Sequence, residues 1–272
     1  MRVLLDAGIF SQSAFAESWV EHRTVRFGHR TQVVGVHGLI RKAPGASADQ
    51  QKQEEALFTI GRLIREGQIR AFEYNEIHFE RVRIAAPIEE FNALRGCTID
   101  QCAPALERSR FERTISLRDM FSKGGKKDRR KFGEVGAAGQ IGFMEFLCTL
   151  PEEHVDELIE QHASLLGLTD FEVDSLRNIH WFQVLCGRSQ SRENYPDVFH
   201  LWTAERNGLD AVLTLERGLP NLVRRVRNEK KKQIEIRTEV LRPLDLLHKL
   251  NIQKPDPVPM DAGRFYHLHE VT

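Results

Sequence analysis

Clustered positive charge is the first chemistry visible in this chain. Six of the ten residues from Ser122 to Lys131 are basic and one is acidic, with Lys123, Lys126, Lys127, Arg129, Arg130 and Lys131 surrounding Asp128. The nine residues from Arg224 to Lys232 repeat the pattern, again with six basic and one acidic. Runs of this kind neutralise phosphates, so both are candidate nucleic-acid contacts. A solvated loop or helix face is the competing reading. Ser189 and Ser191, with Asn194, stand in the polar stretch RSQSRENYP and offer hydrogen bonds suited to phosphate oxygens, or to an ordinary polar loop. His267 and His269 form an H-x-H pair that could hold a metal, against a disordered tail as the alternative.

The elements that must position such groups follow from periodicity. Val3 to Leu5 is an apolar run ending in Asp6, the pattern of a buried central strand whose carboxyl end meets solvent. Phe15, Trp19 and Val20 share a face at helical spacing, which predicts a helix from Ser13 to His22, and TQVVGV at 31–36 reads as a second strand. Leu57, Ile60, Leu63 and Ile64 predict a helix from Ser47 to Glu66, closed by Gly67, and Ile69 to Tyr74 reads as a strand. Residues 85–177 read as mostly helical, most clearly from Pro151 to Leu166, while the Gly-, Lys- and Arg-rich stretch from Ser122 to Gly139 reads as a mobile loop. The segment DVFHLWTAERNGLDAVLTLERG reads as helix, turn and strand, with Asp197 as a helix cap, Gly208 as its stop and Ala211 to Leu215 as the strand. A last strand within Ile234 to Val240 precedes a short helix opened by Pro243. Alternation of strands and helices predicts an α/β fold whose mainly parallel sheet is flanked by helices on both faces.

Bulk properties narrow the function classes. With 39 basic and 39 acidic residues the formal net charge is zero, so attraction to a polyanion must come from the local clusters. Asp6 breaks the N-terminal apolar stretch, and no uncharged run approaches the roughly 18 residues of a membrane helix. The expectation is a cytoplasmic protein with no membrane association. Cys97, Cys102, Cys148 and Cys186 show no C-x-x-C spacing and are expected as reduced core thiols. No G-x-G-x-x-G or Walker-type loop follows the first strand, which argues against a nucleotide-dependent small-molecule enzyme.

VLLDAGIF at the start, FHLWTAERNGLDAVLTLERG near the end, and a closing strand followed by PLDLLHKL resemble the PIN-domain family of metal-dependent nucleases, in that family's order. The resemblance covers about residues 1–82 and 188–250. It implies a PIN-like α/β domain from 1–84 and 178–250, a helical insertion at 85–177 and a C-terminal tail at 251–272. In the family, four acids gather divalent metal: one ends the first strand, one lies on a helix after the next strand, one opens the late helix, and one follows the next strand. Here they correspond to Asp6, to Glu76 or Glu80, to Asp197 and to Glu216. Asp6, Asp197 and Glu216 are thereby the implied ligands of Mg²⁺ or Mn²⁺, metals that prefer oxygen donors. Asp210 precedes its strand and is read as a turn residue at the opposite end. The chain departs from the family pattern at Gly8, where Asn or Ser is common, and at Glu216, where Asp is usual.

The implied activity is divalent-metal-dependent hydrolysis of phosphodiesters, with RNA favoured over DNA as substrate. The alternative is a catalytically degenerate PIN-like scaffold that binds RNA or a protein partner, or that self-associates. Replacing Lys126, Lys127, Arg129 and Arg130 with Ser is expected to weaken nucleic-acid binding and to lower its salt slope by up to about three, since each phosphate contact contributes about 0.7–0.9. Binding titrations at several salt concentrations would check this, and an unchanged slope would assign the segment to solvent.

Overall fold

The computed structural model describes residues 1–43, 45, 47–83, 92–111, 129–229, 234–261 and 263–267, with the backbone alone for 129–138. The chain builds β1 (Arg2–Leu5), α1 (Ala7–Gln12), β2 (Ala16–Phe27), β3 (Arg30–Arg41), α2 (Ala48–Arg65), β4 (Arg70–Glu73), α3 (Asn75–Arg83), β5 (Ile99–Gln101) and α4 (Arg108–Phe111). It continues with α5 (Arg129–Thr149), α6 (Glu152–Leu166), α7 (Asp170–Arg177), α8 (Ile179–Arg188), a 3₁₀ turn (Arg192–Asn194) and α9 (Tyr195–Arg206). The last elements are β6 (Ala211–Leu213), α10 (Gly218–Arg227), β7 (Glu239–Leu241), α11 (Pro243–Lys249) and β8 (Phe265–His267).

Five strands form one sheet in the order β5-β4-β1-β6-β7, every neighbouring pair parallel. The chain first winds outward from β1 through β4 to β5, then returns to the other side of β1 for β6 and β7. The reversal falls between β1 and β6, where open α/β sheets place their ligands, beyond the carboxyl ends of the strands. Val3, Leu4 and Leu5 are all wholly buried, as are Ala211 and Leu213. Successive strand residues point to opposite faces, so both faces of the sheet centre are covered. The expected α/β class with a parallel sheet flanked by helices is observed.

Local signals explain most elements. Ser47 caps α2 by accepting from the Gln50 amide, and Gly67 leaves the helix at φ 75°. Leu57, Ile60, Leu63 and Ile64 form its buried face. Thr169 and Glu172 close a capping box on α7. α9 is buried continuously from Val198 to Ala204, because it lies between the sheet and the helices α5 and α8. Phe182 stacks on Trp202 at 5.1 Å between ring centroids, and Phe143 of α5 meets Phe199 at 6.3 Å.

Several expectations are corrected. The helix predicted from Ser13 to His22 is absent: α1 ends at Gln12 and β2 begins at Ala16. Trp19, Val20, Thr24, Val25 and Phe27 favour extended backbone, and the two-residue turn Gly28–His29, with Gly28 at φ 59°, suits a hairpin. TQVVGV lies within the longer β3, which pairs antiparallel with β2 and with β8 in a separate three-stranded sheet. The predicted loop from Ser122 to Gly139 is helical from Arg129 onward. Residues 85–177, expected as a helical insertion, supply β5 to the parallel sheet, and Phe143, Met144 and Leu147 join the single main core. The tail is not wholly irregular either, since β8 pairs with β3 and places His267 in a strand. Among the described residues no helix is long and apolar enough to cross a membrane. The four cysteines are free; Cys186 is buried and the other three are half-buried.

Gly61 of α2 approaches the turn after Asn92 so closely that a Cβ there would lie 1.9 Å from the Ala93 carbonyl oxygen. Gly to Ala inside a helix ordinarily stabilises by about 0.5–1 kcal/mol. Here the clash wins, and Gly61→Ala is expected to cost about 1–3 kcal/mol net. Urea unfolding checks it: the midpoint should fall at unchanged slope, and a raised midpoint would show that the turn yields freely.

Candidate metal centre

The site is assembled from the ends of β1 and β6 and from α3 and α9, the helices beside them. Asp6 follows β1, and its amide donates to the Leu213 carbonyl at 3.1 Å, which ties it to the end of β6. It occupies the cap position before α1, yet its side chain makes no capping hydrogen bond. Instead the Thr214 hydroxyl donates to Asp6 Oδ2 at 2.8 Å, and the same hydroxyl accepts from the Glu216 amide at 3.1 Å. The carboxylate is held by a side chain from the neighbouring strand, which a mere strand-ending or capping aspartate would not need.

α3 leaves β4 with Glu76 and Glu80 one helical turn apart, and the structure treats them differently. Glu76 is buried and bound by the Arg108 guanidinium at 2.9 Å. Burial raises its pKa, and Arg108 opposes the rise. Glu80 accepts from the Gln140 amide at 2.7 Å and faces His200 of α9, whose Nε2 lies 3.5 Å from Glu80 Oε1. Among the described residues, one ligand atom each from Asp6, Glu80 and His200 lie within 4.8 Å of one another.

His200, which was not among the candidate residues of the sequence, is the one nitrogen-bearing member of this group. It is 2% exposed, and its Nε2 has no partner of hydrogen-bond geometry although it stands at ion-pair distance from Glu80. Its Nδ1 lies 2.6 Å from the hydroxyl oxygen of buried Tyr74. Burial works against its charged form, but Glu80, Asp6 and Asp197 outweigh burial and lift its pKa to about 9. The available signal was the spacing D-x-x-H: residues three apart on a helix share a face, so Asp197 and His200 look the same way.

Asp197 lies in the first turn of α9, where Asn194 rather than Asp197 is the cap, so the expected capping role is not observed. It is half-buried. Burial raises its pKa to about 7, reinforced by the charges of Asp6, Glu216 and Glu80 and opposed by that of His200. Asp6 is raised likewise, chiefly by burial. Five groups from sequence positions 6 to 216 thus share one electrostatic neighbourhood, with Asp6, Glu80 and His200 at its centre and Asp197 and Glu216 beside it.

The other sequence candidates lie elsewhere or in local roles. Ser191 caps the 3₁₀ turn by accepting from the Glu193 amide, and the Ser189 hydroxyl donates to the Ser191 carbonyl. Asp210 sits at the opposite end of the sheet, where it accepts from the Arg2 amide at 2.6 Å. Lys123, Lys126 and Lys127 lie outside the described residues; Arg129, Arg130 and Lys131 open α5, with only their backbone described. In the second basic run Arg227 donates to the Ile236 and Thr238 carbonyls, and Arg225 to that of Arg188, so part of that charge is spent on folding. His267 ends β8, and His269 lies outside the described residues.

No family model, curated protein or solved structure matches this chain.

The charge arrangement has a sign that can be measured. In chelator the folded protein holds a proton on Asp197 up to about pH 7 and one on His200 up to about pH 9, beyond the ordinary values of both side chains. The folded state therefore binds more protons than the unfolded chain across those windows, and stability falls as pH rises through them. Asp49, held down to about 2 by hydrogen bonds from Arg217 and Arg242, titrates below this range. Urea unfolding in chelator should show the decline from about pH 5 to about pH 9. Asp197→Asn should remove its lower part and raise stability near neutral pH by about 1 kcal/mol or more. A parent protein whose stability rises over that range would contradict the proposed crowding.

Proposed function

We propose that this chain is a PIN-like, Mg²⁺- or Mn²⁺-dependent nuclease acting on RNA in preference to DNA. The observation that carries the reading is the convergence of Asp6, Glu80 and His200, with Asp197 and Glu216 beside them, beyond the carboxyl ends of the strands at the point where strand order reverses. Carboxylates at this density repel, and a divalent cation that displaces the proton of His200 would relieve the repulsion and give its Nε2, which faces Glu80 without a hydrogen bond, a partner.

The donor set fits such an ion. Asp6, Glu80 and Asp197 are the carboxylates that would hold it, His200 the nitrogen, and Glu216 a further acid reached through its longer side chain. When bound, the metal lowers the pKa of a coordinated water and neutralises charge on a phosphoryl oxygen. The chain's own groups do the rest. Thr214 fixes the orientation of Asp6, Gln140 that of Glu80, and Tyr74 that of His200. Glu76, already bound to Arg108, supports the site by anchoring α3 to the first residue of α4.

One observation favours the degenerate-scaffold reading instead. His200 already places a cation among the acids, as a resident counter-ion would, and a centre satisfied in this way can persist without metal. The two readings divide on chelator. Purified protein incubated with a mixed pool of single-stranded and structured RNA and DNA should cut RNA with Mn²⁺ or Mg²⁺ and stop when EDTA is added. Asp6→Asn and Asp197→Asn should each lower the rate by about 100-fold or more, because Asn brings no charge to the metal. Binding of RNA that is indifferent to EDTA, with no cleavage under any metal, would replace the nuclease by the scaffold.

A further inference from the structure

The hairpin of β2 and β3 stands apart from the core that positions the site. Its strands run from Ala16 to Phe27 and from Arg30 to Arg41, at ~3.3 Å per residue a ribbon about 40 Å long. Only its root is buried: Ala16 and Leu39 pack with Tyr266 and Met260, and β8 pairs with Gly38 to Ile40 alone. From Glu17 to His37 no residue is buried, and among the described residues the exposed large apolar side chains concentrate there, with Trp19 50% exposed, Phe27 62% and Val33 65%.

The exposed faces are chemically uneven. Trp19, Arg23 and Phe27 alternate with their neighbours and so share one face, and Arg30, directly opposite Phe27, joins them. From His22 to Arg41 there are four arginines and three histidines and no carboxylate, in a chain whose net charge is zero. Arg23 pairs with Glu21, while Arg30 and Arg26 meet no carboxylate among the described residues. Aromatic faces interleaved with guanidinium groups suit unpaired bases and their phosphates. Two copies of this hairpin laid together would set arginine against arginine, which argues against a second copy as its occupant.

We propose that the β2–β3 hairpin is an arm that binds single-stranded RNA, with Trp19 and Phe27 stacking on bases and Arg23 and Arg30 contacting phosphates. RNA is the polyanion that ordinarily presents unpaired loops and ends to such surfaces. The arm's root follows α1, which follows Asp6, and α1 packs on α3, which carries Glu80. The arm is thereby joined through α1 to both Asp6 and the helix that carries Glu80. This assignment of substrate class deepens the nuclease reading and rests on it only for what happens to the bound RNA.

The test separates binding from cleavage. Fluorescence anisotropy in EDTA, with a labelled single-stranded RNA, the same sequence as duplex RNA and as single-stranded DNA, measures affinity and its salt slope for the parent and two double variants. Arg23→Ser/Arg30→Ser should weaken single-stranded RNA binding at least about fivefold and lower the salt slope by about 1.4, since single strands give about 0.7 per contact. Trp19→Ala/Phe27→Ala should weaken it by about tenfold or more with the slope unchanged. Both variants should stay folded, as thermal unfolding would show, because Trp19, Phe27 and Arg30 are exposed and Arg23 loses only a surface pair with Glu21 and its place over the Phe265 ring. Unchanged affinity in both variants overturns the arm, as does preference for duplex RNA or DNA, or a parent dimer that the variants dissociate with RNA binding intact. Weakened binding in the variants alongside a parent that never cuts with Mn²⁺ upholds the arm and removes the nuclease. Cleavage by the parent with unchanged binding in the variants does the reverse.

Discussion

Like charges do not gather of their own accord, and the carboxylates around Asp6 are held together against a repulsion that the rest of the molecule must outweigh. Strand order sets the meeting place. Because the chain reverses direction of growth beside β1, the ends of β1 and β6 adjoin without a connecting helix between them, and the gap is open to acids from α3 and α9. The amide of Asp6 on the Leu213 carbonyl and the Thr214 hydroxyl on Asp6 Oδ2 lock the two ends in register. The wholly buried triplets Val3–Leu5 and Ala211–Leu213 supply the apolar burial that makes the arrangement affordable.

His200 shows how the crowding is moderated. An imidazolium is a poor guest in a buried position, and desolvation alone would drive its proton off. Glu80, Asp6 and Asp197 reverse that outcome, so the protein keeps a titratable cation where acids converge. Proton and metal then compete for one charge deficit. A residue confined by Tyr74 on one nitrogen and facing Glu80 with the other can fill the deficit or donate to whatever fills it, without moving the backbone.

The sheet and the late helix were readable because their signals are local: an apolar triplet ending in Asp6, a capped helix with Leu57, Ile60, Leu63 and Ile64 in period, and the Gly208 stop before β6. Asp6, Asp197 and Glu216 were nameable only through the resemblance to the PIN-domain pattern, which left Glu80 level with Glu76. What could not be read depended on partners far away in sequence. Phe15, Trp19 and Val20 fit a helical face as well as a strand, and only pairing with β3, in a hairpin turned by Gly28, decides between them. Glu76 and Glu80 are equivalent as spacing, and Arg108 on one and His200 opposite the other make them different. Likewise β5 is three residues long and joins the sheet only through β4, so nothing in its own composition marks it as part of the parallel core.

Thr214 links the two positions, Gly8 and Glu216, at which the sequence differs from the PIN-domain pattern it resembles. A Cβ at Gly8 would lie 3.6 Å from Asp6 Oδ2, ordinary contact, so a side chain at this position would sit beside the first carboxylate. An Asn or Ser there would offer Asp6 a donor from its own helix. In this chain the donor comes from across the sheet, as the Thr214 hydroxyl, and the amide of Glu216 donates to that same oxygen. One threonine therefore couples the first acid to the backbone of the last.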